Sequence, residues 1–251
     1  MSTTSTATLS ALAQTIAREL VQAHRTGVAW NPGSFDTALS TDDGYRIQDL
    51  VAAELGWFAS GQAAAWKAGG KAPNMSGSPL PVVLPSGSSW SSAGTQGLAM
   101  EAEVAVRLAR TPTGPQDVLD CIGGLCVSIE LVGTRLQGGM EAPGPWKFAD
   151  QQVHAVLVTG PEIPFSPRDW AAQSFEVQIN GTSAGKGTGT AANGDPLSTL
   201  PWLFDHAIRR GLPLRAGDLI TTGAWAVIPV KAGDRIRTTF DGIGEAEVTC
   251  S

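Results

Sequence analysis

The sequence predicts an α+β protein, a β-rich mixed-sheet roll or barrel with a small helical unit at its N-terminus. Three observations point there. Apolar residues recur at helical spacing up to Leu55, then alternate with period two from Ala99 onward. The 30 glycines and 16 prolines among 251 residues mark many turns. Turn signals such as Asn180-Gly181 separate the short apolar runs of the second half. The expected division is a helical unit over 1–62 and a β-rich domain over 63–251, with a Gly/Pro/Ser-rich loop at 70–97.

Leu9, Leu12, Ile16 and Leu20 share one face of a helix that reaches His24, and Gly27 is placed to end it. Ser40-Thr41-Asp42-Asp43 offers a capping hydroxyl and two acids to a second helix through Ile47, Leu50, Val51 and Leu55. Ala63-Ala-Ala-Trp-Lys67 reads as a short strand that carries a lysine. Residues 70–97, dense in Gly, Pro and Ser and interrupted only by Leu80-Pro-Val-Val-Leu84, read as a long loop. Such a loop is either a lid over a site or an insertion of no consequence.

Beyond it, Leu98–Leu108, Leu125–Val132, Val153–Val158 and Phe175–Ile179 read as strands. Asn180-Gly181 supplies the positive φ angles of a tight hairpin turn. Asp195-Pro196 opens a helix that Arg209-Arg210-Gly211 closes. Two Ala-Gly-Asp turns, at 216–218 and 232–234, each precede a short strand.

Composition narrows the function. With 42% hydrophobic and 16% charged residues the chain is globular, and its net charge of −6 with no basic cluster gives no footing for nucleic acid. Cys121, Cys126 and Cys250, an odd number without Cys-His ligand spacing, favour free thiols in a reducing compartment over a zinc site. The N-terminus lacks the pattern of a secretory signal and no run is long and apolar enough to span a bilayer, so the expected location is cytoplasmic, with no membrane partner.

Within Leu98-Ala-Met-Glu-Ala-Glu-Val-Ala-Val-Arg-Leu108, Glu101 and Glu103 fall on one face of the strand, their Cα atoms roughly 6 to 7 Å apart. They either line a wet side or gather around a cation. Glu130, centred in a second apolar strand pattern, is their candidate partner. Three buried carboxylates repel and resist desolvation, and a hard divalent cation removes that conflict. Lys67 either reaches solvent from a strand edge or, desolvated beside such a cation, has a lowered pKa and moves protons. Thr221-Thr-Gly-Ala224 offers hydroxyls and backbone N–H groups to a carboxylate or enolate. His154 and His206 have no partner at ligand spacing and read as structural.

Taken in order, several segments resemble the fumarylacetoacetate hydrolase superfamily, in its branch of 2-keto-4-pentenoate hydratases and 4-oxalocrotonate decarboxylases. They are Tyr45-Arg-Ile-Gln48, Trp66-Lys-Ala-Gly69, Glu101-Ala-Glu103, Ile129-Glu130, Pro145–Asp150, Asn193–Leu197 and the tail from Leu214 to Asp234. The resemblance implies the β-rich fold of that superfamily's C-terminal domain, with Glu101, Glu103 and Glu130 holding Mg²⁺ or Mn²⁺ and Lys67 as acid/base. It further implies a catalytic part for Asp150 and substrate contacts for Lys147, Thr222 and Gly223; His154, just after a departure from the family pattern, is the candidate substitute proton carrier. The implied substrate is a small 2-keto or 2-hydroxy-dienoic acid from aromatic catabolism, handled by a homo-oligomer. Hydration is the implied reaction; decarboxylation, carbon-carbon hydrolysis and a non-catalytic keto-acid-binding homologue are the alternatives. The chain departs from the pattern twice: no Asp or Glu occurs between residues 70 and 97, and Asp150-Gln-Gln-Val153 stands where the family has Asp-Asn-Ala-Ser. Both departures bear on the water-addition step, or on the usual substrate, rather than on the metal site.

Overall fold

The computed structural model describes residues 3–33 and 39–251, with side chains from residue 11 onward. Leu9 of the first helix's predicted face lies outside the described side chains. The chain divides into two compact units. The first comprises Met1–Ser60, Ala93–Leu98 and Val132–Ala155; the second comprises Gly61–Ser92, Ala99–Leu131 and Val156–Ser251. The N-terminal part of the first unit ends at Ser60. Two further segments, distant in sequence, complete the first unit.

In the first unit α1 runs over Thr3–Thr26, α2 over Thr41–Leu55 and α3 over Gly144–Ala149. Gly27 ends α1 in the left-handed conformation at φ +68°, its N–H donating to the Ala23 carbonyl. Ser40 caps α2: its hydroxyl accepts from Asp43 N at 3.1 Å while the Asp43 carboxylate accepts from Ser40 N at 3.0 Å. That reciprocal box is what Ser-Thr-Asp-Asp encodes. Ile16, Leu20 and Val21 of α1 pack with Ile47 and Val51 of α2 and with Trp146 of α3.

Strands make up most of the second unit, and three of them have an end in the first, at residues 96–98, 132–134 and 154–155. The strands are β1 (Ala65–Gly69), β2 (Ser76–Leu80), β3 (Val83–Pro85), β4 (Ser88–Trp90), β5 (Gln96–Leu108), β6 (Ile122–Thr134), β7 (His154–Thr159), β8 (Ile163–Pro164), β9 (Ser174–Ile179), β10 (Thr182–Thr188), β11 (Leu219–Thr221), β12 (Ala226–Pro229), β13 (Arg235–Phe240) and β14 (Gly244–Cys250). One sheet has nine strands in the order β2-β1-β11-β5-β6-β7-β3, with β12 added to β5 and β8 to β6; the other has five, β10-β9-β13-β14-β4. Parallel pairs (β1 with β11, β3 with β7, β4 with β14) mix with antiparallel ones. Asn180 at φ 55° and Gly181 at φ 79° make the predicted primed turn between β9 and β10. Each Ala-Gly-Asp turn folds its acid back on the chain, Asp218 onto Arg215 N and Asp234 onto Lys231 N, just before β11 and β13.

Two expectations are corrected. Residues 70–97 are not one loop, because β2, β3 and β4 lie in it. Glycine, serine and proline hide a strand from pattern reading, yet here partners supply what propensity lacks. Pro79 is tolerated because β2 is a sheet edge. Asp195 and Pro196 form a capped turn, with Leu197 N donating to Asp195 Oδ1, and α4 begins only at Leu200, running to Arg209 with Pro201 in its first turn. Gly77 of β2 lets α4 approach: a Cβ there would stand 2.9 Å from the Lys67 carbonyl and 3.0 Å from Leu203.

Candidate metal centre

Strand pairing decides which side chains meet. Residues opposite one another in a sheet project to the same side, as do residues two apart along a strand. Lys67 of β1 is in register with Thr221 of β11, and Thr221 with Ala105 of β5. Glu101 and Glu103, four and two residues before Ala105, therefore share the face of Lys67. Ser78 of β2, opposite Lys67, shares it too. Ser128 Oγ lies 3.0 Å from Thr221 Oγ1, which puts Ser128 and Glu130 of β6 on this same side.

The result is a cluster of three carboxylates. Glu101, Glu103 and Glu130 each offer an oxygen within 4.8 Å of the others, Glu103 and Glu130 being buried and Glu101 partly so. Lys67 Nζ donates to Glu130 Oε1 at 2.5 Å. The Thr221 hydroxyl donates to Glu103 Oε2, and Gly223 N donates to the same oxygen at 3.1 Å.

That last bond depends on a break in the sheet. The first half of β5 pairs with β12, Glu101 facing Val227, and its second half pairs with β11. Between them the chain leaves the ladder at Thr222–Trp225, beside Glu103. Thr222 N and Trp225 N still bond to the Val104 and Ala102 carbonyls, while Gly223, at φ +99°, turns its N–H to the carboxylate. Only glycine adopts that conformation without strain.

Electrostatics marks the cluster as unsettled by protein groups alone. Burial, then the charges of Glu130 and Glu101, push the Glu103 carboxyl well above its ordinary value despite the Thr221 bond and Lys67. Glu101 is raised first by burial, with Glu130 adding to it and Lys67 and Glu103 opposing. Burial alone would lower Lys67, but Glu130, Glu101 and Glu103 outweigh it and hold the ammonium above its usual pKa. Without a cation, the anionic company that Lys67 keeps thus outweighs the lowering that burial brings. Three hard oxygen donors that repel one another in a buried place fit a divalent cation such as Mg²⁺, Mn²⁺ or Ca²⁺.

The remaining candidates are placed differently. The Thr222 hydroxyl donates to the Val104 carbonyl, so it braces the break. Asp150, His154 and Lys147 belong to the first unit. Asp150, 1% exposed, accepts from Thr134 Oγ1, Arg135 N and Arg135 Nε; Arg135 also donates to the His154 carbonyl. Lys147 donates to the Met140 carbonyl. Gln151, Gln152 and Val153 all take positive φ, between 51° and 58°, so the departure from the family pattern is also a left-handed stretch. His206 is held between Trp202, stacked at 4.6 Å, and the Gly77 carbonyl. Sequence reading quoted Thr221 without a role of its own and passed over Ser128. Their signal is a hydroxyl inside an apolar strand, but which face it takes follows only from register.

The family model described as fumarylacetoacetate (FAA) hydrolase C-terminal matches residues 54–251. The chain belongs to the fumarylacetoacetate hydrolase family. Within this fumarylacetoacetate hydrolase kinship it is 33% identical over 157 residues to 2-keto-4-pentenoate hydratase 1 of Dechloromonas aromatica (strain RCB), covering 58% of this chain and 57% of the relative. It is 31% identical over 163 residues to 2-hydroxyhexa-2,4-dienoate hydratase of Comamonas testosteroni, covering 60% and 58%. The match thus spans less than three fifths of the length of these curated relatives. Among solved structures, 4-oxalocrotonate decarboxylase from Pseudomonas putida G7, complexed with magnesium and adipate, superposes with a TM-score of 0.82 at 20% identity over 96% of this chain and 97% of that one. The α+β, mixed-sheet fold is therefore that of the fumarylacetoacetate hydrolase family, with small N-terminal helices.

Proposed function

We propose that the chain is a divalent-metal-dependent lyase acting on a small 2-keto or 2-hydroxy-dienoic acid, a hydratase of the 2-keto-4-pentenoate type. The observation that carries this reading is the meeting of Glu101, Glu103 and Glu130 with Lys67 on one sheet face. The names of its relatives, which are hydratases of such acids, support the substrate class.

Mg²⁺ or Mn²⁺ held by the three glutamates would supply positive charge for a substrate carboxylate and its 2-oxygen, lowering the cost of an enolate or dienolate. The chain's own groups do the rest. Thr221 and Gly223 fix the Glu103 carboxylate by donating to it, and Ser128 steadies Thr221. Lys67 carries the proton delivered to substrate carbon as the dienol becomes ketone, and recovers it at the end of the cycle. Addition of H and OH across the conjugated alkene completes hydration. Asp150, His154 and Lys147 are assigned no step; their bonds within the first unit support a part in holding that unit together. We place the protein in the cytoplasm as a homo-oligomer, on the resemblance of its sequence to ring-cleavage-product enzymes.

A second reading, decarboxylation, is favoured by one observation. The cross-strand neighbour of Lys67 is Ser78, and no acid occurs between residues 70 and 97 to activate water. Loss of CO₂ needs an electron sink but no nucleophile. The deciding experiment is NMR of products from 2-hydroxypenta-2,4-dienoate and from 2-hydroxymuconate, with Mn²⁺ and with EDTA. Hydrated product from the first supports the hydratase and CO₂ from the second the decarboxylase. Equal turnover in EDTA would sink both.

A further inference from the structure

The peptide group between Thr222 and Gly223 is held from both ends. Its N–H donates to Glu103 Oε2 at 3.1 Å and its carbonyl accepts from Asn193 Nδ2 at 3.2 Å. A trans peptide points these two groups in opposite directions, so Asn193 stands behind the peptide and reaches Glu103 only through it. We propose that Asn193 is a positioning residue that sets the cation affinity of Glu103 by fixing and polarising the Thr222–Gly223 peptide.

Several features support this. The peptide lies in the break between β11 and β12, where no continuous ladder orients it. With Gly223 at φ +99° the segment has more freedom than any other residue type would leave it, and it needs a clamp. Thr222 is held on one side through its N and Oγ1, both bonded to the Val104 carbonyl. Asn193 supplies the hold on the other side. It is 8% exposed, and its own turn is tied to the same segment by Ala192 N donating to the Ala224 carbonyl at 3.0 Å. The Thr222 carbonyl requires a donor, which settles the orientation of the Asn193 amide. Its Oδ1 then meets no protein donor among the described residues, a desolvation cost that an apolar side chain of the same size would avoid. What the amide provides in return is the Nδ2 bond. Hydrogen bonds in a chain strengthen one another, so a donor at the carbonyl makes the N–H a better partner for a carboxylate. Groups that orient a metal-binding carboxylate typically change metal affinity by about 10- to 100-fold when removed.

This inference rests on the proposed metal site, and the wild-type protein separates the two. Mn²⁺ is titrated calorimetrically into the wild type and into Asn193→Leu, which keeps the volume and removes the donor. The expected result is Mn²⁺ binding by the wild type and a Kd raised about tenfold or more in the variant. A folded variant whose Mn²⁺ Kd lies within twofold of the wild type, even with a lowered melting temperature, overturns the proposal and leaves the metal site standing. No Mn²⁺ binding by the wild type overturns the metal site and the proposal with it. A measurement on the wild type alone decides the matter if the variant does not fold. On saturation with Mg²⁺ the Asn193 side-chain amide resonances should shift together with the Gly223 amide; an Asn193 signal that stays fixed while Gly223 moves overturns the relay.

Discussion

The ammonium of Lys67 lies 2.5 Å from Glu130, a glutamate with no exposed surface. Removing one partner of such a pair strands the other's charge, at a cost of about 3–5 kcal/mol. Lys67→Ala should therefore destabilise the protein strongly in EDTA. With Mn²⁺ present the loss should be smaller, because the cation would compensate the same carboxylates. Urea unfolding with and without Mn²⁺ checks this, and an equal loss in both would show that lysine and cation do not share the cluster. Turnover should fall by about 10²-fold or more in either case.

Glu103→Gln tests whether the cluster stores repulsion. Glutamine keeps an acceptor for Thr221 and Gly223 but removes a carboxyl that burial and two acid neighbours hold out of its ordinary range. The metal-free variant should melt higher than wild type, by the equivalent of about 1–2 kcal/mol, while its Mn²⁺ affinity falls sharply. A lower melting temperature in EDTA would contradict the electrostatic account.

Gly223→Ala probes the sheet break. A Cβ there meets nothing closer than 3.7 Å, so the cost is conformational and comes from φ +99°. We expect about 1–2 kcal/mol of lost stability, and weakened Mn²⁺ binding as the N–H swings from Glu103. If crystallography of the variant shows φ unchanged and affinity intact, the break does not serve the carboxylate.

Stability should fall with acid through two histidines. Burial, then the charge of Arg135, brings His24 down from 6.5 to about 4. Burial, then Arg210, brings His206 to about 4 as well, against the pull of the Gly77 carbonyl. Above pH 6.5 both are neutral whether folded or not, and the full stability is present. Between 6.5 and about 4 the unfolded chain takes protons that the folded chain refuses, so stability is lost as pH drops. The slope approaches about 1.4 kcal/mol per pH unit for each histidine in the middle of that window. Urea midpoints at pH 7.5, 6.5 and 5.5 for wild type and His206→Gln would check it; identical slopes would remove His206 from the explanation.

The sequence by itself determined the local devices, because each is written in neighbouring residues: the Ser40–Asp43 capping box, the Asn180-Gly181 turn, the paired Ala-Gly-Asp turns and the shared face of Glu101 and Glu103. Period-two alternation was enough to single out Glu130, and segment order was enough to name a family. Tertiary structure decided what no local pattern carries. Only register shows that Thr221 lies between Lys67 and Ala105, and that it is Thr221 and not Thr222 that reaches Glu103. The break at Thr222–Trp225 is visible only once β11 and β12 are seen to share β5. The strands within 70–97 escaped notice because Gly, Ser and Pro become strand there through hydrogen bonds to partners far away in sequence, as Ser78 does opposite Lys67.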